Sequence, residues 1–175
     1  MSEPEVVLRA VRPSDESLAR AAQAALAPDG FDFGLWADGE PWLSYLDRLD
    51  REHRGVDLPP GRVPMTFLYA EVEGRIVGRT SIRHSLTATL CVQGGHVGYA
   101  VLPDERRRGY ATAILRQSVA HLRERGVGPV LVTCAADNPG SLAVIRNNGG
   151  RPDTSWPSSR PHGDHVAEIL RFWID

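Results

Sequence analysis

The chain has 175 residues, of which 42% are hydrophobic and 24% are charged, and its formal net charge is −2. This length predicts one globular domain over residues 1–175, with a core large enough to fold without a disulfide or a metal. A slightly acidic chain has no overall attraction for nucleic acid or an anionic membrane, so neither is expected as a partner. Every cation in the Lys+Arg count is an arginine, so arginine clusters alone carry little information.

The sequence shows neither the residue spacing of a metal site nor an apolar run long enough to span a membrane. Cys91 and Cys134 are the two cysteines, and the sequence contains neither a CxxC pair nor a zinc-like histidine spacing, so we predict reduced thiols and no metal site. The first residues lack an apolar signal core, and no apolar run approaches the roughly 20 residues of a membrane span. We therefore expect a cytoplasmic protein.

Hydrophobic periodicity and turn signals divide the chain into alternating strands and helices. In chain order we predict a strand at 5–12, a helix to about Leu26, a loop at 28–41, a helix from Trp42, strands at 66–72, 76–83 and 96–102, a helix at 109–125, a strand at 129–135, a helix at 139–148 and a strand at 165–174. A further strand within 150–157 is left open. The fold class is therefore α/β (α+β), with a mixed, mostly antiparallel central sheet of six to seven strands flanked by about four helices.

The segment 101–112, VLPDERRRGYAT, combines a strand end, a basic turn and a helix start. The first N–H groups of a helix lack partners within it, and with the positive end of the helix dipole they attract anions. Gly109 would let the backbone approach a phosphate closely. Neither a P-loop nor a GxGxxG motif after a strand is present. We therefore predict a pyrophosphate site of another kind, with a basic turn before an ordinary amphipathic helix as the alternative.

Residues 106–111, RRRGYA, resemble the Q/R-x-x-G-x-G/A signature of the GNAT superfamily of acetyl-CoA-dependent N-acetyltransferases. The preceding strand ends in Val101-Leu102-Pro103, and Asn138-Pro139-Gly140-Ser141 and Asn148-Gly149-Gly150 resemble later elements of that family. The resemblance implies a GNAT-like acyl-CoA N-acyltransferase fold with acetyl-CoA as cosubstrate. It also implies direct transfer of the acetyl group to a primary amine of a small molecule or peptide, and it leaves a homodimer open.

The resemblance also implies roles for individual residues. The pyrophosphate would be held by the Thr112 hydroxyl and by backbone amides of Arg106, Arg107, Arg108, Gly109, Tyr110 and Ala111. The Val101 N–H would polarise the acetyl carbonyl as an oxyanion donor. Asn138 would bond the pantetheine arm, and Ser141 closes the same cofactor-binding element. A helix N-cap is the alternative role for Asn138, and the two roles can coexist.

One position departs from the family pattern. Ile145 stands where many members carry the tyrosine that protonates the departing thiolate. We predict that Tyr99 replaces it as an acid or substrate contact, and that His96 acts as a base; core packing and a structural hydrogen bond are the respective alternatives. In a regular strand Tyr99 and Val101 share one face and His96 lies on the other. The missing tyrosine also keeps open a noncatalytic acyl-CoA-binding or sensor domain.

The segment 29–57 is acidic and rich in aromatic residues. Its eight carboxylates outnumber its three arginines and comprise Asp29, Asp32, Asp38, Glu40, Asp47, Asp50, Glu52 and Asp57. In the resembled family the first two helices and their loop commonly form the acceptor wall, so we predict a cationic amine acceptor. A solvated helix face is the alternative. Contact of residues 106–108 with nucleic acid is a third hypothesis, which the net acidic charge and the absence of interleaved aromatic residues disfavour.

Overall fold

The computed structural model describes residues 5–155 and 168–175. Its strands are β1 (Val7–Arg9), β2 (Met65–Val72), β3 (Arg75–Arg83), β4 (Val97–Val101), β5 (Val130–Ala135), β6 (Arg151–Pro152) and β7 (Ile169–Ile174). Its α-helices are α1 (Glu16–Leu26), α2 (Trp42–Arg54), α3 (Ala88–Val92), α4 (Tyr110–Glu124) and α5 (Pro139–Asn147). The predicted alternation of elements is therefore confirmed for the described residues.

Two strands differ in extent from the sequence prediction, and one short helix was not predicted. Strand β1 covers only the middle of the predicted 5–12, and residues 165–167 of the last predicted strand lie outside the described residues. Helix α3 was not predicted. It has five residues, with the Thr87 side chain accepting a hydrogen bond from the Leu90 N–H at 3.2 Å, and a helix this short shows no readable periodicity.

The predicted number of strands is confirmed, but they form two sheets rather than one central sheet. The first has the order β1-β2-β3-β4 and the second β5-β7-β6, and every pairing is antiparallel. The sheets meet where the His96 N–H donates to the Leu131 carbonyl at 2.8 Å. At Gly95 an added Cβ would lie 2.5 Å from that carbonyl, so the absence of a side chain permits this contact. Beyond it no backbone hydrogen bond joins β4 to β5 among the described residues, and we call the space between the two strands the opening.

The helices cover both faces of the first sheet. Helices α1 and α2 pack on one face through a cluster that includes Leu26, Tyr45 and Phe67. Helix α4 packs on the other face through Ala113 and Ile114, and its later turns reach the second sheet. Helix α4 therefore spans the junction of the two sheets, and its first turn lies at the end of β4.

Candidate active site

The opening between β4 and β5 is lined by backbone donors of β4. The ladder between β3 and β4 includes Leu102 N–H to Val77 O at 2.9 Å and Arg83 N–H to His96 O at 2.7 Å. In an antiparallel pair, successive residues point their N–H groups alternately toward and away from the partner strand. The N–H groups of Tyr99 and Val101 therefore point away from β3, into the opening. Val101 was predicted as a donor, whereas the Tyr99 N–H was missed, although the two-residue strand period could have indicated it.

The turn that follows β4 presents further N–H groups at the start of α4. Arg107 has a φ of 64° and Gly109 a φ of 83°, and Gly109 is the residue that precedes the helix. Within residues 5–155 and 168–175, the N–H groups of Arg107, Arg108 and Gly109 have no hydrogen-bond partner. The first N–H groups of α4 lack partners within the helix as well. These donors and the dipole of a 15-residue helix form an anion site.

The arginine side chains of this turn are mostly engaged with neighbouring groups. Arg106 contacts the Asp29 carboxylate and donates from Nε to the Val101 carbonyl at 3.3 Å. Arg108 donates to the Asp104 carbonyl and pairs with Glu105, both at 3.2 Å. Arg107 is exposed. The predicted anion site therefore depends on the backbone of the turn more than on its guanidinium groups.

The predicted cofactor residues in the first turn of α4 differ in how deeply their side chains are buried. The Tyr110 side chain is buried against the cluster that contains Val101, so it can serve the site only through its backbone. Ala111 and Thr112 are half-buried in the first turn. The Thr112 carbonyl accepts a hydrogen bond from Asn148 Nδ2 at 3.3 Å, which joins the start of α4 to the end of α5.

The beginning of α5 joins the site through Asn138 and Ser141. Asn138 Oδ1 accepts the Ser141 N–H at 2.9 Å, so the N-cap role is confirmed. The amide NH₂ of Asn138 has no partner among the described residues, which leaves a second role open. Ser141 Oγ lies 2.8 Å from the Tyr99 hydroxyl. The structure thus brings three predicted residues of β4 and α5 together.

Tyr99 lies at the centre of this arrangement. Like Val101, it packs against the cluster with Tyr110 and Ile114, so the predicted shared face is confirmed. Burial raises the pKa of Tyr99 to about 12, against the opposing effect of its hydrogen bond to Ser141. Ile145 is fully buried one helical turn after Ser141. The Tyr99 hydroxyl therefore lies one turn away from the position of the missing tyrosine.

His96 is buried at the junction of the sheets. Its Nδ1 accepts the Leu131 N–H at 2.9 Å, so the neutral ring carries its proton on Nε2 and has no free acceptor nitrogen. Burial lowers the pKa of His96. This geometry matches the structural alternative, and the base role stays a prediction with less support. Cys134 is also buried, and burial raises the pKa of its thiol.

Two groups of side chains near the site were missed by sequence reasoning. The first is formed by Arg79 and Arg83 on the face of β3 opposite α4. The second is a histidine cluster in which the Thr66 hydroxyl lies 2.9 Å from His53 Nδ1, 2.8 Å from His84 Nε2 and 3.4 Å from His121 Nε2. The alternation of Arg79 and Arg83 along β3 could have indicated the first group, whereas the histidine cluster joins distant parts of the chain that no local motif connects.

The negative charge of the acidic segment 29–57 is partly neutralised in the folded chain. Arg48 pairs with both Glu40 at 2.8 Å and Glu52 at 3.0 Å. Asp50 pairs with Arg54 at 2.6 Å, and Asp29 contacts Arg106. Half of the eight carboxylates are therefore engaged, and the segment carries less unbalanced negative charge than its composition indicates.

The sequence model of the acetyltransferase (GNAT) family matches residues 23–149. The chain belongs to this family. Solved GNAT structures share its fold: YncA from Salmonella typhimurium, solved with acetyl-CoA, matches with a TM-score of 0.64 and 14% identity over 97% of this chain and 92% of that one. RimJ from Mycobacterium smegmatis, solved with CoA-disulfide, matches with a TM-score of 0.68 and 22% identity over 98% and 82%.

A third structural relative is spermidine N-acetyltransferase from Vibrio cholerae, solved with CoA and spermine, with a TM-score of 0.63 and 12% identity over 97% of this chain and 94% of that one. At such identities the likeness shows the fold alone. The chain has no significant sequence match among curated proteins. In the described parts of this GNAT protein, no helix is long and apolar enough to span a membrane, and no three His, Cys, Asp or Glu side chains are placed to hold a metal ion.

Proposed function

We propose that this GNAT protein transfers the acetyl group of acetyl-CoA directly to a primary amine of a small molecule or peptide. One observation carries the proposal: the strand that presents the Tyr99 and Val101 N–H groups continues directly into the turn that forms the anion site at Gly109. A thioester and a pyrophosphate are the two groups of acetyl-CoA that need such donors. Strand, turn and helix present them in the order in which the cofactor would occupy them.

The residues of the site divide the binding of acetyl-CoA among them. The N–H groups of residues 107–112 would hold the pyrophosphate, and the Thr112 hydroxyl lies on the same first turn of α4. The free NH₂ of Asn138 would donate to a carbonyl of the pantetheine arm, which would enter between β4 and β5. The N–H groups of Tyr99 and Val101 would polarise the thioester carbonyl and stabilise the oxyanion that forms on attack.

The transfer is a single displacement at the thioester carbon. The neutral amine nitrogen forms the new C–N bond, the C–S bond breaks, and the sulfur leaves as a thiolate. An ammonium acceptor loses one proton before attack, and the attacking nitrogen loses a second as the amide forms; one of these protons is taken up by the thiolate. The enzyme contributes by orienting the thioester and amine and by stabilising the oxyanion.

Tyr99 is the residue that we assign to the departing sulfur. Its pKa of about 12 lies well above the roughly 8.5 of a typical thiol, so its phenol remains protonated and would donate a hydrogen bond to the thiolate. The Ser141 hydroxyl orients this phenol from α5. The amine proton then passes to water, because the free nitrogen of His96 is a donor in the neutral ring.

The acceptor is assigned only as an amine. The acidic segment 29–57 supports an acceptor with a cationic group, and the pairing of half of its carboxylates weakens this support. An amine acceptor that binds as an ammonium ion would fit the remaining acids.

Two measurements test this proposal. Calorimetric titration should show that acetyl-CoA binds, and release of free thiol with a panel of primary amines should show turnover. The panel should contain amino acids, their carboxamides, polyamines and short peptides with free N-termini. Binding without thiol release across the panel would favour the noncatalytic acyl-CoA-binding or sensor domain, and absence of binding would contradict both functions.

A further inference from the structure

Strand β3 carries a row of polar residues on the face opposite α4. Arg79, Ser81 and Arg83 alternate along the strand and therefore point to one side of the sheet. Their neighbours on β4 are Ala100 and Gly98, which pair with Arg79 and Ser81. Thr80 and Ile82 point the other way, toward α4. The row thus lies on the side from which an acceptor can reach the Tyr99 N–H without crossing α4.

Arg79 forms the fixed part of this row. It is only 4% exposed, and it donates to the carbonyl groups of Asp32 at 2.9 Å and of Phe33 and Gly98 at 3.1 Å. Its guanidinium also stacks on Phe31, with 4.6 Å to the ring centroid. Burial lowers the pKa of Arg79 to about 10, and Arg83 adds to this effect. Arg79 is therefore a buried cation whose hydrogen bonds go to neutral oxygens.

Arg83 forms the open part of the row. Its Nη1 makes two long contacts, at 3.3 Å to the Gly94 carbonyl and 3.2 Å to the Gly95 carbonyl. Neither its Nε nor its Nη2 has a hydrogen bond or ion pair with any described residue. Burial and then the charge of Arg62 lower the pKa of Arg83. The Nε and Nη2 edge is a planar fork that can bind one carboxylate through two hydrogen bonds.

Gly98 leaves room for the side chains of this polar row. A Cβ at Gly98 would lie 3.0 Å from Ser81 Oγ and 3.8 Å from Arg83 Nη1, so any side chain there would crowd the row. The three middle residues of β4 are also half-exposed, although helices cover both faces of the sheet. Gly98 directly precedes Tyr99, whose N–H faces the proposed thioester. A ligand bound to Arg83 would therefore reach the transfer centre within a few bonds.

We propose that the acceptor is an amino acid or a similar amino-carboxylate, whose carboxylate is bound by the Nε and Nη2 edge of Arg83 with the Arg79 charge behind it. This inference rests on the transferase function proposed above and names its substrate class. A carboxylate would offset the positive charge of two cations that have no ionic partner among the described residues. A polyamine, by contrast, would bring like charge against Arg79 and Arg83, which is unfavourable in a partly buried site.

The experiment compares matched acceptors and matched variants. Thiol release from acetyl-CoA is measured with α-, β- and γ-amino acids, the carboxamide of each, phosphoethanolamine and spermidine. The enzymes are the wild type, Arg83→Gln, Arg83→Lys and Arg151→Gln, the last being a control on the exposed strand β6, where Arg151 contacts Asp175. Acetyl-CoA affinity and thermal midpoint are measured for each enzyme.

The inference gives a distinct pattern for each enzyme. For wild type and Arg151→Gln, kcat/KM for the best amino acid should exceed that of its carboxamide by at least about tenfold. Arg83→Gln should abolish this preference, mainly by lowering kcat/KM for the amino acid, because the carboxylate loses a charged partner that the neutral carboxamide needs less. Arg83→Lys should restore part of it, because a lysine keeps the charge but not the fork. Acetyl-CoA affinity should be the same in all four enzymes.

The outcomes separate this inference from the function on which it rests. Equal use of carboxamides or spermidine by the wild type, or an unchanged preference in a folded Arg83→Gln or Arg83→Lys, would overturn the inference and leave the transferase function intact. A preference for phosphoethanolamine over every amino acid would show that the acceptor carries a phosphate rather than a carboxylate, and would overturn the inference. Binding of acetyl-CoA without thiol release for any acceptor would overturn both.

Discussion

The two sides of β4 use arginine in opposite ways. In the turn that follows the strand, Arg106, Arg107 and Arg108 are adjacent in sequence, but two of them contact carboxylates or carbonyl groups and the anion donors are backbone N–H groups. On the acceptor side, Arg79 and Arg83 are isolated in sequence and have no ionic partner among the described residues. The position of an arginine in the fold, rather than the number of arginines in a segment, therefore decides whether its charge is available to a ligand.

The largest effect should come from Tyr99, where the two sides meet. Tyr99→Phe removes only the hydroxyl that we assign to the departing sulfur, and donation by a positioned acid typically contributes a factor of about 100 or more. We expect kcat to fall by about 100-fold, with acetyl-CoA affinity nearly unchanged, because the backbone N–H of residue 99 is retained. Ser141→Ala should lower kcat less, since it removes only the group that orients the phenol.

For His96, a catalytic role and a structural role predict different results. If it is the base, His96→Ala should abolish the acidic limb of kcat/KM, which would reflect an imidazole whose unperturbed pKa is about 6.5. The bond from the Leu131 N–H predicts instead a less stable protein whose acidic limb persists. Wild-type rates in both Tyr99→Phe and His96→Ala would show that neither side chain is catalytic and would favour a relay through water.

Acetyl-CoA affinity should depend strongly on Gly109 in the turn after β4 and only weakly on the arginine side chains of that turn. Gly109→Glu forces a side chain onto a φ of 83° and adds negative charge at the anion site, so acetyl-CoA affinity should fall at least about tenfold, or about 1.4 kcal/mol. Gly74→Glu is a matched control, because Gly74 has a φ of 76° in the turn between β2 and β3 with open space around it.

Calorimetric titration of the folded variants checks this prediction. Arg107→Gln should weaken acetyl-CoA binding by only about twofold to threefold, as expected for an exposed charge. A larger loss in Arg107→Gln than in Gly109→Glu would show that side-chain charge, not the backbone, holds the pyrophosphate, and the contrast between the two sides of β4 would then fail.

The sequence could predict features that depend on local contacts, but not those that depend on contacts between distant segments. The anion turn and the Asn138 cap are local: a glycine before a helix and an asparagine before a proline fix hydrogen bonds within three or four residues. Arg83 and the histidine cluster depend on strand pairing and helix packing, which bring together residues from distant segments. The junction of the two sheets is also nonlocal, since it depends on the close contact of Gly95 with Leu131.

The histidine cluster should make the fold sensitive to acid. Arg125 Nε donates to His121 Nε2 at 3.0 Å, so a proton on that nitrogen would face another donor and a positive charge. Burial, and then Arg125, lower the pKa of both His84, to about 4, and His121. Since the unfolded chain binds these protons more readily, the stabilisation is complete above about pH 6.5 and is lost as the pH falls toward 4.

Urea unfolding at about pH 7.5 and about pH 5 measures this loss, which should be on the order of 1 kcal/mol for His84 after allowance for solvent screening. His84→Asn should be less stable than the wild type at the higher pH and should lose less on acidification. An equal loss in the two proteins would show that the cluster is not the source of the acid sensitivity, whichever protein is the more stable.

The smallest effect tests whether Asn138 has one role or two. Its Oδ1 accepts the Ser141 N–H at 2.9 Å, and an N-cap replaced by alanine typically costs about 1 kcal/mol. Asn138→Ala should therefore lower the free energy of unfolding by about that amount. Asn138→Ser keeps a capping oxygen but lacks the NH₂ that we assign to the pantetheine arm. We expect it to retain near wild-type stability and to bind acetyl-CoA about threefold to tenfold more weakly, the value of one neutral hydrogen bond. Full affinity in Asn138→Ser would reduce this residue to a cap, and the pantetheine arm would then depend on β4 alone.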